Sequence, residues 1–208
     1  QVYLKKLGCP QDKLIMIPNG IPSEFFKALP NSKKNNIVLF LGRLAPLKRI
    51  DTLIVAIKDL DVLLKLAGPS EGDYIIKMKW LVRRLGIEDK VQFLGPIHDL
   101  QKKIDVYNHS KLFVLPSETE GMPQVLIEAM SLGVPVLGAD NNGIREVIQD
   151  EQFLFPVGDY NVLKKKIKRT LEEGDTSKPR LDQVKENMKK YDWDAIVERI
   201  EKVYDESI

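Results

Sequence analysis

Residues 111–138 read KLFVLPSETEGMPQVLIEAMSLGVPVLG. Residues 112–115 form a continuous apolar run of strand length, the kind that is buried on both faces of a parallel sheet. A short acidic loop containing Gly121 follows and opens a helix over about residues 123–132. A second apolar run, 134–137, comes directly after. Strand, helix, strand at this spacing is a βαβ unit with a right-handed crossover. Its ionisable groups lie at the carboxyl end of the first strand, beside a helix N-terminus. That crevice is where open α/β sheets bind ligands. Glu120 and Glu128 stand eight positions apart, one in the loop and one in the helix, so both can face one bound molecule.

The pattern repeats on either side. Apolar strand-like runs fall at 14–17, 37–41, 62–67, 91–94 and 153–155. Between them, apolar residues recur at helical spacing over 50–60, 74–85 and 100–107. The alternation predicts an α/β fold with a doubly wound parallel sheet. The last third changes character. A Lys-rich amphipathic helix covers 162–171, a polar break lies near 174–179, and two helices follow over about 181–191 and 193–204. Trp193, Ile196, Val197, Ile200 and Val203 form a stripe that needs a partner surface, either within the domain or outside it. Lys164, Lys165 and Lys166 read as the solvated face of a helix.

At 208 residues the chain can bury one α/β core. Hydrophobic residues at 43% and charged residues at 30% describe a globular protein. The net charge of +2 comes from 32 basic and 30 acidic residues, a balance that argues against a dedicated nucleic-acid surface. No apolar run reaches the length of a membrane span. Cys9 is the one cysteine, which fits a reducing, cytoplasmic setting, and the two histidines form no metal-ligand cluster. Gln1 as first residue suggests a piece cut from a longer polypeptide.

The segment Glu120-Gly121-Met122-Pro123-Gln124-Val125-Leu126-Ile127-Glu128, an E-x7-E pattern followed by Ala129-Met130 and Gly133-Val134-Pro135-Val136, resembles the donor-binding half of the GT-B family-4 glycosyltransferases. Gly42-Arg43-Leu44 with Lys48 resembles that family's GRLxxxKG element, and Pro18-Asn19-Gly20-Ile21 its interdomain turn. The resemblance runs from about residue 14 to about residue 172.

The resemblance implies a Rossmann-like lobe of a GT-B fold, a single C-terminal nucleotide-sugar-binding domain spanning 1–208. Residues 1–20 would be its interdomain segment and 178–208 its C-terminal helices, the last crossing to an N-terminal domain. It implies a retaining enzyme that transfers a hexosyl unit from a nucleoside diphosphate sugar to an acceptor hydroxyl. Arg43, Lys48 and Glu120 would be catalytic. Arg43 and Lys48 would hold the diphosphate, whose charge grows as the glycosidic bond breaks. No metal or other cofactor is expected. Glu120 would accept bonds from the sugar and Glu128 from the ribose, since a carboxylate offers several acceptor sites. Gly121, Met122, Gln124 and Val125 would present backbone N–H groups at a helix start, and Ile97 would border the nucleobase. Pro123 stands where the family more often has glycine, and Arg49 replaces the glycine after the lysine.

Without the E-x7-E segment, Arg43 and Lys48 would read as an ordinary exposed pair on a βα loop, and Glu118 and Glu120 as charges that complement a helix N-terminus. A GT-B sugar-nucleotide epimerase and a non-catalytic nucleotide-binding regulatory domain are the alternative readings. The dinucleotide fingerprint GxGxxG is absent. Acceptor-site and further catalytic residues would belong to the N-terminal domain, so the fragment alone is expected to be inert. Peripheral association with a membrane face is compatible with this reading.

Overall fold

The computed structural model describes residues 6–28, 35–173 and 178–206. Six strands form one parallel sheet: β1 (Asn35–Leu41), β2 (Leu63–Ala67), β3 (Val91–Gly95), β4 (Ser110–Leu115), β5 (Val136–Ala139) and β6 (Leu154–Phe155). Their order across the sheet is β3-β2-β1-β4-β5-β6. The chain starts in the middle, winds outward to β3, then returns to lay β4 on the other side of β1. The switch point therefore falls between β1 and β4, where the loops leaving the two strands diverge and open a crevice.

Nine α-helices are described. The first is the short α1 (Glu24–Lys27). Then come α2 (Ile50–Ile57), α3 (Tyr74–Leu85), α4 (Leu100–Asn108), α5 (Gln124–Ser131), α6 (Asn142–Val147) and α7 (Tyr160–Glu173). The C-terminal pair is α8 (Lys178–Met188) and α9 (Trp193–Asp205). The central strands β1 and β4 are almost wholly buried, from Ile37 to Phe40 and from Leu112 to Leu115, because helices cover both faces of the sheet. Phe25, Phe40, Tyr107, Phe113 and Phe155 are the largest side chains of this core.

Three expectations change. Residues 14–17 form no strand; Ile15 and Met16 are exposed, and the Met16 carbonyl accepts a bond from Arg199 of α9. An apolar run becomes a strand only beside another strand, and this segment runs beside α9 instead. The second strand of the opening unit starts at Val136, because Gly133 takes a left-handed turn (φ 68°) that closes α5. Helix α6 was not foreseen. It is capped by Asn141, whose side chain accepts from Ile144 N–H at 3.1 Å.

Two segments far apart in sequence meet. Ile21 N–H donates to Tyr191 O at 2.8 Å and Trp193 N–H to Ile21 O at 3.2 Å, a one-residue parallel bridge. Gly20 is required there: a Cβ at that position would stand 2.6 Å from the Trp193 ring. The stripe on α9 is split, with Ile196 buried in this domain and Trp193 and Val197 exposed.

Candidate functional site

The loops after β1 and β4 flank the switch point and are tied together by Glu118 N–H donating to Leu47 O at 2.8 Å. After β1, Pro46–Lys48 makes a single 3-10 turn that turns Lys48 toward the β4 loop. Lys48 Nζ meets Glu120 Oε1 at 2.6 Å. The two side chains are only 22% and 13% exposed, so the pair is largely withdrawn from water. An ammonium carries three protons and a carboxylate several acceptor sites. Each partner thus keeps polar capacity for a ligand that displaces or bridges the pair.

Arg43, at the end of β1, is 67% exposed and faces Glu71 at 3.9 Å, a loose surface contact. It is an exposed cation at the rim, with this long ion pair to Glu71. Arg49 sits at φ 47°, the non-glycine residue among those described that holds a left-handed backbone. The family's glycine at this position is explained by that angle, because a Cβ is disfavoured there. Its guanidinium pairs with Asp51 at 3.5 Å and Glu118 at 3.7 Å, so the extra charge is spent within the loop.

The β4 loop is held from below by α6. Asn141 Nδ2 donates to Ser117 O at 2.9 Å. A Cβ on Gly143 would stand 2.1 Å from Glu120 O, so only glycine lets α6 seat against the backbone that carries the glutamate. From the other side, Asn19 N–H donates to Met122 Sδ at 3.3 Å and Gln124 Nε2 to Gly20 O at 3.1 Å. The turn at 18–21 and the E-x7-E loop are therefore one packed unit.

Pro123 is the N-cap of α5 rather than its first helical residue, at φ −79° and ψ 84°. The Gln124 N–H, expected to face a ligand, instead donates to Met122 O at 3.0 Å. This is an inverse γ-turn centred on Pro123, whose ring fixes φ close to the value the turn needs. Gly121 is exposed at the mouth; Met122 and Val125 are half-buried beside it. Ile97 follows β3 in the next loop along the same sheet edge and is half-buried.

Glu128, one turn into α5, is buried, as its apolar neighbours in sequence imply. Lys103 Nζ of α4 reaches its Oε1 at 2.5 Å and Tyr107 Oη its Oε2 at 2.9 Å. Tyr107 is fully buried, and burial together with the Glu128 charge pushes its phenol well above the ordinary value, so it stays a donor. Lys103 and Tyr107 are the residues that sequence reading missed. The signal was a buried carboxylate on an apolar helix face, which requires a partner. Charge singles out this edge of the sheet. A mostly apolar cavity of about 420 Å³, lined by Met130, Pro135, Ile148, Phe153, Leu181 and Val184, lies at the opposite end, where β5 begins. Among the described residues, no group of three or more His, Cys, Asp or Glu side chains gathers as a metal site.

Comparison with known proteins agrees with this fold. The model of the family described as glycosyl transferases group 1 matches residues 23–191. An uncharacterized glycosyltransferase of Methanocaldococcus jannaschii is 30% identical over 198 residues, covering 94% of this chain and 54% of that protein. The chain thus spans about half the length of that curated relative. Among solved structures, sucrose-phosphate synthase from Thermosynechococcus elongatus superposes with a TM-score of 0.84 at 25% identity, over 99% of this chain and 55% of that one. HepE of Anabaena, solved in complex with UDP, gives 0.85 at 22% identity, over 99% and 61%.

Proposed function

The chain belongs to the family of glycosyl transferases group 1, and we propose that it is the donor-binding lobe of a retaining, GT-B-type hexosyltransferase. The observation that carries this reading is the Lys48–Glu120 pair at the switch point between β1 and β4. A nucleoside diphosphate sugar presents an anionic diphosphate next to a ring of hydroxyls. A cation and a carboxylate in contact match those two neighbouring groups.

In this reading Lys48 gives its remaining protons to the diphosphate, and Arg43 swings in from the rim to form a forked second contact. The two cations counter the charge that builds on the leaving group as the glycosidic bond breaks, a task that needs no metal. Glu120, relieved of Lys48, accepts from the sugar hydroxyls. Lys103 and Tyr107 fix the Glu128 carboxylate in one orientation, and its remaining acceptor sites take the ribose. Gly121, Met122 and Val125 line the phosphate side, and Ile97 borders the base. A leaving diphosphate held on one face of the sugar can accept the acceptor's proton on that same face, which gives retention.

An acceptor hydroxyl must be brought within about 3–3.5 Å of the reacting carbon with water excluded. The described residues form one lobe with its site on an open edge, so a second lobe supplies the acceptor and the opposing wall, and the fragment alone does not turn over. The single thiol of Cys9 supports a cytoplasmic setting. Among the described residues, no helix is long and apolar enough to cross a membrane. The test is release of nucleoside diphosphate from a panel of nucleotide sugars, by residues 1–208 with and without an N-terminal lobe from a relative. Turnover is expected only with both. Turnover by residues 1–208 alone would remove the two-lobe reading.

A further inference from the structure

Helix α3 carries an exposed face that the donor site does not use. Its inward side, Tyr74, Met78 and Val82, is buried in the hydrophobic core, which anchors the helix. On the outward side Ile76 and Trp80, one turn apart, are 61% and 60% exposed. At about 100° per residue, Lys79 and Arg83 flank this apolar pair on one side and Lys77 and Arg84 on the other. All four cations are exposed, and the helix contains no acidic residue; acids enter only beyond its ends, at Glu71, Asp73, Glu88 and Asp89. The Arg84 guanidinium lies over the Trp80 ring at 5.2 Å, and Lys79 over Phe93 of β3 at 5.7 Å.

We propose that this face of α3 docks the protein onto the surface of an anionic lipid bilayer. A large aromatic and a branched aliphatic side chain, side by side and bordered by cations, match the layered chemistry of a headgroup region. Trp80 and Ile76 enter the acyl boundary, and the cations reach back to phosphates. Leaving such an apolar pair in water is unfavourable, and an anchored helix presents it at little entropic cost. α3 carries four cations and no acid in a chain that is close to neutral overall, so the attraction at this face is local.

The chain has two tryptophans, so Trp193→Phe leaves Trp80 as the sole reporter. That protein, residues 1–208, is mixed with vesicles of phosphatidylcholine alone or with about a third phosphatidylglycerol, at about 0.1 M salt. Co-flotation and a blue shift of Trp80 emission are expected with the anionic vesicles only. Arg83→Ala with Arg84→Ala should lower the partition coefficient roughly 30-fold, since each cation near such a surface counts for about a fivefold change. Trp80→Ser in the Trp193-containing chain should weaken co-flotation several-fold. Circular dichroism unchanged in each variant shows that the fold is intact. No binding, equal binding to both vesicle types, or binding insensitive to both substitutions would overturn the proposal. So would binding to a DNA duplex but not to vesicles, which would mark a plain polyanion patch.

Discussion

Lys48 and Glu120 lie 2.6 Å apart with exposures of 22% and 13%, and breaking this contact has a calculable effect. At an effective dielectric of about 20, unit charges about 4 Å apart attract by about 4 kcal/mol. Desolvation offsets part of that, and removing one partner leaves the other as a poorly solvated charge. Lys48→Met should therefore destabilise by about 2–3 kcal/mol, less than a fully buried pair would lose. In a domain of this size that lowers the melting temperature by roughly 5–10 °C. Glu120→Gln keeps an acceptor toward the ammonium and should lose about 1–2 kcal/mol. The double variant should lose clearly less than the sum, with a coupling of about 2 kcal/mol in a denaturant-based double-mutant cycle. Ligand titration gives the functional half. Glu120→Gln should bind a bare nucleoside diphosphate at least as tightly as the parent, because Lys48 loses its competing carboxylate, yet bind the nucleotide sugar more weakly. Additive destabilisation together with equal losses for both ligands would refute the reasoning, since the pair would then be neither desolvated nor shared with a donor.

Further outcomes follow from other contacts. Tyr107→Phe removes a buried hydroxyl bonded to a carboxylate and should cost about 1.5–3 kcal/mol, measured by urea unfolding. Arg49→Gly should be more stable than Arg49→Ala by about 1 kcal/mol in the same assay, because the position holds φ 47°; the reverse order would deny the strain. Lys164 beside Asp59 holds that carboxyl below its ordinary value. The contribution of this pair is thus present above the ordinary carboxylate range and is lost as pH falls through the folded-state value. Lys164→Ala should move the Asp59 titration upward by NMR.

The candidate site was proposed from short segments: Arg43, Lys48, Glu120 and Glu128 were singled out from one loop and one loop-helix junction, and strand runs with helical spacing between them gave the sheet. What sequence could not show depended on contacts between distant elements. Lys103 and Tyr107 find Glu128 across helices 25 and 21 positions away. The left-handed backbone of Arg49 was visible only as a missing glycine. Residues 14–17 were apolar enough for a strand, yet a strand needs another strand beside it, and this segment lies beside α9. The Gln124 N–H was lost to a local turn whose cause, Pro123, was in plain sight but whose geometry was not.

The central claim is that the switch-point cations hold a diphosphate, and calorimetric titration tests it most directly. Uridine, guanosine and adenosine diphosphates, each paired with its nucleoside, are titrated into residues 1–208 and into Arg43→Ala and Lys48→Met. At least one diphosphate should bind tenfold or more tightly than its nucleoside, and each substitution should weaken it by about 1.5–3 kcal/mol while leaving the nucleoside nearly unchanged. Equal affinity for nucleoside and diphosphate, or diphosphate binding indifferent to both substitutions, would contradict the account.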